Sequence, residues 1–353
     1  MQLFEALAER STTGGGYEAL HFFHDPAAKL RAVVAIHNSA LGPALGGTRA
    51  LSTYPSEELA VTDVLRLARG MTYKAALAGL AHGGGKAVIL LPTEPFDREK
   101  LFLAFGKAVD TLGGRYITTE DSGTSPADMQ VVRSATRFVL GTPPSQGGSG
   151  DPSPVTAFGT FRGIEAVAKV AFDRTSLRGL RVALLGIGHV GHALAKLLTE
   201  AGAELLVADV DAHKVEQAQA ELGCATCSVE SIFSEPCDIF SPNALGGILN
   251  DETIPRLRCK AVAGAANNQL GEPRHGQMLQ DMGILYAPDY AINAGGLINV
   301  ASEWVGYDAG AVRERAARIY DTLLEIFSRA KASHRPTAEV ADRLAEERFL
   351  KRS

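Results

Sequence analysis

The sequence predicts an α/β protein of two domains, the second a Rossmann-type, doubly wound domain, and three observations predict it. At 353 residues the chain exceeds what one hydrophobic core usually organises, so two cores are expected. From residue 156 onward, short apolar runs of strand length alternate with helical stretches, as in a parallel sheet covered by helices. Between the halves, residues 142–154 hold ten Gly, Pro or Ser at thirteen positions, a composition that interrupts both periodicities. The first domain is therefore expected over 1–141 and the second over 142–334. A last helix over about 335–353 is expected to pack back on the first domain.

In the first domain, residues 32–36 and 87–91 are apolar runs of strand length. Between them Val61, Val64, Leu65 and Ala68 recur at i, i+3, i+4 and i+7, the period of an amphipathic helix, with Gly70 as its terminator. Leu101, Phe105, Ala108 and Leu112 mark another helix, closed by Gly113 and Gly114. A helix is expected around 156–171, then strands at 182–185, 205–209, 238–240, 261–263 and 284–286. The tail from Ala309 reads as two helices. The stretch 42–49 reads as a Gly-rich turn, and Lys74 and Lys86 as residues of Gly-rich loops.

Composition excludes several function classes. Hydrophobic residues at 46% and charged residues at 21% describe an ordinary soluble globular chain. The formal charge of −5 argues against nucleic acid or an anionic membrane as partner. No run approaches the roughly 18–20 apolar residues that span a bilayer. Residues 1–5 lack the basic start of a signal peptide, so a cytoplasmic protein is expected. Four cysteines make no disulfide framework, and Cys224 and Cys227 read as buried reduced thiols in a short strand. No metal site is expected.

The strand at 182–185 runs into Gly186-Ile187-Gly188-His189-Val190-Gly191 and then a helical stretch. Gly186 permits a tight turn, Gly188 lets a pyrophosphate approach, and Gly191 lets the helix sit close to the strand with its positive N-terminal end toward the phosphates. Asp209 closes the next strand, placed for ribose hydroxyls, and its charge opposes a 2′-phosphate, so NAD is expected over NADP. His189 and His192 read as variable positions beside the phosphates.

Lys74, after Met71-Thr72-Tyr73, and Lys86, after three glycines, sit among Gly, Ala and Leu. A lysine withdrawn from water loses solvation of its ammonium form and can serve as a general base. A second, kept charged, can hold a carboxylate. Asp121, in Thr119-Glu120-Asp121-Ser122-Gly123-Thr124, is an acid suited to exchange protons with an amino or imino nitrogen.

These blocks, with Ala-Gly-Ala-Ala-Asn-Asn-Gln-Leu at 263–270 and Pro-Asp-Tyr-Ala-Ile-Asn-Ala-Gly-Gly-Leu-Ile-Asn-Val at 288–300, resemble the Glu/Leu/Phe/Val dehydrogenase family over nearly the whole chain, and most closely its leucine-specific branch. The resemblance implies an N-terminal domain for substrate and oligomerisation, an NAD-binding domain, and an active-site cleft between them that opens and closes near 142–154. It implies that Lys74 binds the substrate α-carboxylate, Lys86 activates water, and Asp121 shuttles protons at the amino nitrogen. Asn268 would lie near nicotinamide and substrate; Ser153, Thr156, Asn243 and Ala244 would lie near the cofactor. Family members often carry Cys where this chain has Asn243, a change expected to tune the site.

The substrate pocket implied by the resemblance comprises Leu45, Gly46, Met71, Thr119, Leu297 and Val300. Glutamate-specific relatives carry Lys and Ser where this chain has Leu45 and Val300, and an apolar wall cannot pair a buried carboxylate. Branched-chain substrates (leucine, valine, isoleucine) are expected; Leu297 and Thr119 leave phenylalanine or tryptophan open, since one methylene discriminates by only about 1–3 kcal/mol. The mechanism the resemblance implies is that hydride leaves the substrate Cα, water attacks the iminium to give a carbinolamine, and ammonia departs, reversibly. Activity is expected to rise as Lys86 loses its proton. A homo-oligomer, dimer or octamer, is implied, with an apolar strand near the N-terminus at an interface. The rival readings are a non-catalytic NAD-binding regulator, which would lack Lys74, Lys86 or Asp121, and a 2-hydroxy-acid dehydrogenase. The latter needs a catalytic His, and His213, His275 and His334 lack a site-like context, His275 reading as part of a surface turn.

Overall fold

The structure, a computed structural model, describes residues 16–350 apart from Leu245. The leader reading at residues 1–5 and the last three residues of the expected C-terminal helix lie outside the described residues. The chain divides into two compact units. One runs through Gly150 and also takes in Asn299–Asp308 and the residues from Ala345 onward; the other comprises Asp151–Ile298 and Ala309–Leu344. The division thus falls nine residues beyond the position expected from composition, and a ten-residue segment near Val300 groups with the first unit. Glu303 accounts for both: its carboxylate accepts the backbone N–H of Gly141 at 2.9 Å and of Ser149 at 2.7 Å, which ties 141–149 to 299–308.

The first unit is built on a five-stranded sheet in the order β1-β2-β4-β3-β5. Its strands are β1 (Ala19–Asp25), β2 (Leu30–Asn38), β3 (Ala44–Leu51), β4 (Gly83–Leu90) and β5 (Tyr116–Glu120). β1 and β4 flank β2 antiparallel, whereas β3 lies parallel to both β4 and β5. Helix α1 (Glu57–Leu77) packs Val61, Val64, Leu65 and Ala68 on Val33, Ala35 and Val88 of one sheet face. Helices α2 (Arg98–Asp110) and α3 (Pro126–Arg133) bury Phe102, Phe105, Met129 and Val132 against the other.

Three local expectations are corrected here. Gly70 does not end α1, which continues for two more turns because Thr72, Tyr73, Ala75 and Ala76 are buried. The stretch 42–49 is mostly strand β3 rather than a turn, and β4 starts at Gly83, four residues before the apolar run. Lys74 therefore stands on a helix and Lys86 on a strand. Glycine content suggested loops, but these glycines admit close backbone approach within the sheet and against α1.

The second unit holds a parallel sheet in the order β11-β10-β9-β6-β7-β8. Its strands are β6 (Arg181–Leu185), β7 (Glu204–Ala208), β8 (Ala225–Thr226), β9 (Ile239–Pro242), β10 (Ala261–Val262) and β11 (Leu285–Tyr286). The two-residue β8 is too short for periodicity to reveal; free Cys224 and Cys227 flank it rather than lie in it, and Cys227 is only half-buried. Helices α4 (Ser153–Phe172), α5 (His189–Glu200), α6 (Ala212–Leu222), α7 (Arg274–Asp281), α8 (Asp289–Ile292) and α9 (Gly295–Ala301) follow in chain order. The tail forms three helices rather than two: α10 (Ala309–Ala317), α11 (Ile319–Ser333) and α12 (Thr337–Leu350). From Ala345 on, α12 packs within the first unit, where Tyr73 Oη donates to Glu346 at 2.6 Å and Arg348 donates to the last carbonyls of α1. Among the described residues no helix is long and apolar enough to cross a membrane.

Candidate active site

In the first unit the pairing of β3 with β4 skips two residues. Leu45 pairs with Gly84 and pairing resumes at Thr48 with Ala87, while Gly46 and Gly47 stay paired to Thr118 and Thr119 on β5. A Cβ on Gly47 would stand 2.8 Å from the Cβ of Asp121, so the strand can pass the acid only as glycine. On the other side, Gly84 faces α1 in the same direction as Lys86 and Val88, by strand alternation. A Cβ there would lie 2.0 Å from the backbone nitrogen of Thr72. Helix and strand therefore touch backbone to backbone, two residues before Lys74 on one and two residues before Lys86 on the other.

That packing brings chemistry together. Lys86, only 6% exposed, directs Nζ at Asp121 Oδ2 at 2.7 Å. Burial strips water from the ammonium while the carboxylate supplies a counter-charge, an opposing effect that the sequence did not disclose. Burial alone pushes the Asp121 carboxyl up, but Lys86 and then Arg49 outweigh it and hold it below the usual carboxylate range. The turn after Asp121 is fixed by Thr124, whose Oγ1 accepts the Asp121 backbone N–H at 2.9 Å and donates to the Thr48 carbonyl at 3.1 Å. Lys74 and Met71 lie half-buried near the end of α1, three residues apart on one side of the helix. Leu45, Gly46 and Thr119 are buried on β3 and β5. Thr119 lies under Gly141, where a Cβ would meet its Oγ1 at 2.6 Å. Val300, in α9, is half-buried and groups with this unit, whereas Leu297 is buried in the other.

Sequence reasoning missed Arg49. Its Nε lies 3.3 Å from Asp121 Oδ2, and its Nη1 donates to Asp63 Oδ2 at 2.8 Å. Asp63, on α1, also accepts from Tyr54 Oη at 2.6 Å. A signal existed, since Arg49 closes a Gly-rich block of the same kind as those that made the two lysines conspicuous. Asp63 offered none, because an acid on the polar face of a helix is ordinary.

In the second unit the strand order reverses between β6 and β9, the place where open α/β sheets take ligands. Gly186 ends β6 at φ +97°, and a Cβ there would meet Ala244 at 2.8 Å, so Asn243 and Ala244 sit directly on the glycine turn. Gly188 caps α5 and, like His189, is exposed; its N-cap position carries no side-chain hydrogen bond to the first-turn N–H groups. Val190 is half-buried and Gly191 buried against the Gly186 carbonyl. These features fit a pyrophosphate at the helix end. Asp209 follows β7 as expected, with Oδ2 accepting the Ile187 N–H at 2.7 Å. The acid thus braces the turn.

His192 is bonded to Glu221 at 2.8 Å. Ser153 and Thr156 stand in the first turn of α4, with the Thr156 hydroxyl donating to the Pro152 carbonyl at 3.0 Å. Asn243 donates to Ser241 and accepts the Ala265 N–H at 2.9 Å, a bridge between strand ends that a thiol could not reproduce. Exposed Asn268 holds φ +51°, and its N–H donates to Asp289. Beneath that loop, buried Gln269 and Asn293 donate to the carbonyls of Gly264, Ala265 and Ala266; neither was singled out in the sequence. His275 is corrected: it is 2% exposed and lies in α7, with Nδ1 accepting the Glu272 N–H, so it is a core residue rather than part of a surface turn.

The Glu/Leu/Phe/Val dehydrogenase dimerisation domain matches residues 21–138, and the Glutamate/Leucine/Phenylalanine/Valine dehydrogenase family matches residues 208–339. The chain is 50% identical to a leucine dehydrogenase of Geobacillus stearothermophilus over 94% of this chain and 90% of that one. It is 49% identical to a valine dehydrogenase of Streptomyces virginiae over 95% and 94%. The crystal structure of L-tryptophan dehydrogenase from Nostoc punctiforme superposes with a TM-score of 0.86 at 44% identity, covering 95% and 96%.

Proposed function

The chain belongs to the Glu/Leu/Phe/Val dehydrogenase family, and from that premise we propose that it oxidatively deaminates a branched-chain L-amino acid, reversibly, to the 2-oxo acid and ammonia with NAD. The observation that carries the chemistry is the 2.7 Å pair between buried Lys86 and Asp121, beside the α1 turn that bears Lys74. A dinucleotide held by the Gly186–Gly191 turn, the N-terminus of α5 and Asp209 supplies the hydride acceptor when bound. Ser153, Thr156, Asn243, Ala244 and Asn268 complete its surroundings in this reading.

Lys74 holds the substrate carboxylate as a fixed cation. Asp121 takes a proton from the substrate ammonium, because a carboxylate held ionised accepts while a protonated one cannot. Once the iminium forms, a neutral Lys86 withdraws a proton from water, which adds at the former Cα–H carbon. Asp121 then returns its proton to the nitrogen, and as the C–N bond breaks the carbinolamine hydroxyl gives up its proton to solvent, leaving the 2-oxo acid and ammonia. A charged Lys86 opposes the iminium, so turnover rises as that amine loses its proton. Leu45 and Val300 leave a substrate side-chain carboxylate without a partner, which disfavours glutamate.

We take the working form to be a homo-oligomer, dimer or octamer, a reading supported by the dimerisation-domain match and checked by sedimentation. The activity test is initial NADH formation at mildly alkaline pH with L-Leu, L-Val, L-Ile, L-Phe, L-Trp and L-Glu, with Lys86→Ala as control. Preference for the branched-chain substrates, lost in the control, supports the proposal. Preference for Phe or Trp replaces the substrate class and keeps the chemistry. Equal rates with NADP would overturn the cofactor assignment.

A further inference from the structure

Asp121 has two cationic neighbours of different kinds. Lys86 approaches from β4 at 2.7 Å and Arg49 from β3 at 3.3 Å, both at Oδ2. In the proposed reaction Lys86 must give up its proton, and at that moment its charge no longer balances the acid. A guanidinium does not deprotonate in a protein. Arg49 is also held from behind: Asp63 accepts from its Nη1 at 2.8 Å, from Tyr54 Oη at 2.6 Å, and from Arg66 at 3.3 Å. Arg49 and Asp63 each expose about a fifth of their side chains or less, so the pair is neither loose nor freely screened.

We propose that Arg49, anchored by Asp63 and Tyr54, is a positioning residue that serves as the permanent counter-charge of Asp121 and lets Lys86 turn neutral without passing its proton to that acid. This rests on the reaction proposed above. The charged and titratable groups acting on Asp121 are Lys86 from β4, Arg49 from β3 and Tyr116 on β5; Asp63 on α1 and Tyr54 before it act on Arg49, and Arg66 acts on Asp63. Of these, only Arg49 is a fixed cation in contact with the carboxylate. Burial alone favours the protonated acid, and Lys86 and Arg49 together reverse that preference. Without Arg49, one proton is shared between Lys86 and Asp121, and the two titrate as a coupled pair. The form with neutral Lys86 and ionised Asp121 then appears only at higher pH.

The test compares wild type with Arg49→Gln, Arg49→Lys and Asp63→Asn. The first readout is the pH profile of kcat for the preferred amino acid. The second is independent of turnover: trace acetylation by acetic anhydride across pH, read by mass spectrometry at the Lys86 peptide. In Arg49→Gln the rising limb of both profiles moves up by about one pH unit, a loss of roughly tenfold at neutral pH that closes under alkaline conditions. Asp63→Asn moves it the same way by less, and Arg49→Lys restores part of the shift, since charge returns without the fork that spans two carboxylates. Nicotinamide cofactor affinity stays unchanged. A uniform loss of activity at every pH with an unmoved labelling profile overturns the proposal. If Arg49→Gln does not fold, Asp63→Asn decides by the same two profiles. If wild type turns over no amino acid, the reaction assignment fails by itself and the labelling profiles still decide the role of Arg49.

Discussion

Replacing Gly84 by Ala tests how the site is assembled, because the added methyl has nowhere to go. Its Cβ would stand 2.0 Å from Thr72 N, 2.3 Å from Thr72 Oγ1 and 2.5 Å from Thr72 Cα. Ordinary contact begins near 3.4 Å, so α1 and β4 must separate by about 1.4 Å (3.4 − 2.0). Neither side yields easily: Thr72 is fully buried with Oγ1 on His37 Nδ1 at 2.9 Å, and β4 is hydrogen-bonded on both edges. Overpacking of this kind costs about 1–3 kcal/mol, which lowers Tm by several degrees. The functional loss exceeds the stability loss, because the movement separates the Lys74 turn from the Lys86 strand, and a misplacement of about 1 Å can cost a hundredfold. The assay is kcat and KM for the amino acid beside thermal unfolding, with Gly70→Ala as comparison. Gly70 lies in the same helix with nothing within 4 Å of a Cβ, so alanine there stabilises by up to about 1 kcal/mol. A Gly84→Ala protein with wild-type Tm and unchanged KM would refute the backbone contact as the device that assembles the site.

Other perturbations separate the roles. Lys74→Met keeps the apolar stem and removes the ammonium; KM for the amino acid rises roughly ten- to hundredfold, the range of a lost charge-assisted hydrogen bond, while NAD affinity measured by fluorescence holds. Asp209→Asn removes the charge that opposes a 2′-phosphate, so the ratio of kcat/KM for NAD over NADP falls about tenfold or more in steady-state assays. His37 is held down to about 4, first by burial and then by the nearby Arg69 charge. Its folded value lies below the unfolded value of about 6.5, so its contribution is complete above that value and is lost as pH falls toward 4. The loss amounts to about 3 kcal/mol. Urea titrations across this window should flatten in His37→Gln, and an equally steep acid dependence in that variant would remove His37 as the cause.

How much was legible follows from the range of each interaction. The 3.6-residue period at Val61, Val64, Leu65 and Ala68 and the strand-turn-helix at Gly186 are local patterns, so they announced α1 and the glycine turn between β6 and α5. The same reasoning stopped α1 at Gly70 and read 83–86 as loop, because glycine is ambiguous. It signals a turn when alone, and a close approach when another backbone lies against it. The backbone against Gly84 belongs to Thr72, and the one against Gly46 to Gly85, neither of which a linear pattern reveals. His275 misled for the opposite reason: flanked by Pro, Arg and Gly, it reads as surface, yet α7 buries it.

The sequence by itself determined the two-domain α/β class, the strand-glycine turn-helix at Gly186 with Asp209 after the next strand, and the residues proposed for the chemistry, since these depend on neighbours a few positions apart. Tertiary structure decided that β4 lies between β2 and β3, that Lys86 meets Asp121 across 35 positions, and that Arg49 and Asp63 stand behind that acid. It also placed the segment around Val300 with the first unit through Glu303. Strand order and the pairing of buried charges are set by packing between distant segments, and a charge acquires its role only from what is buried beside it.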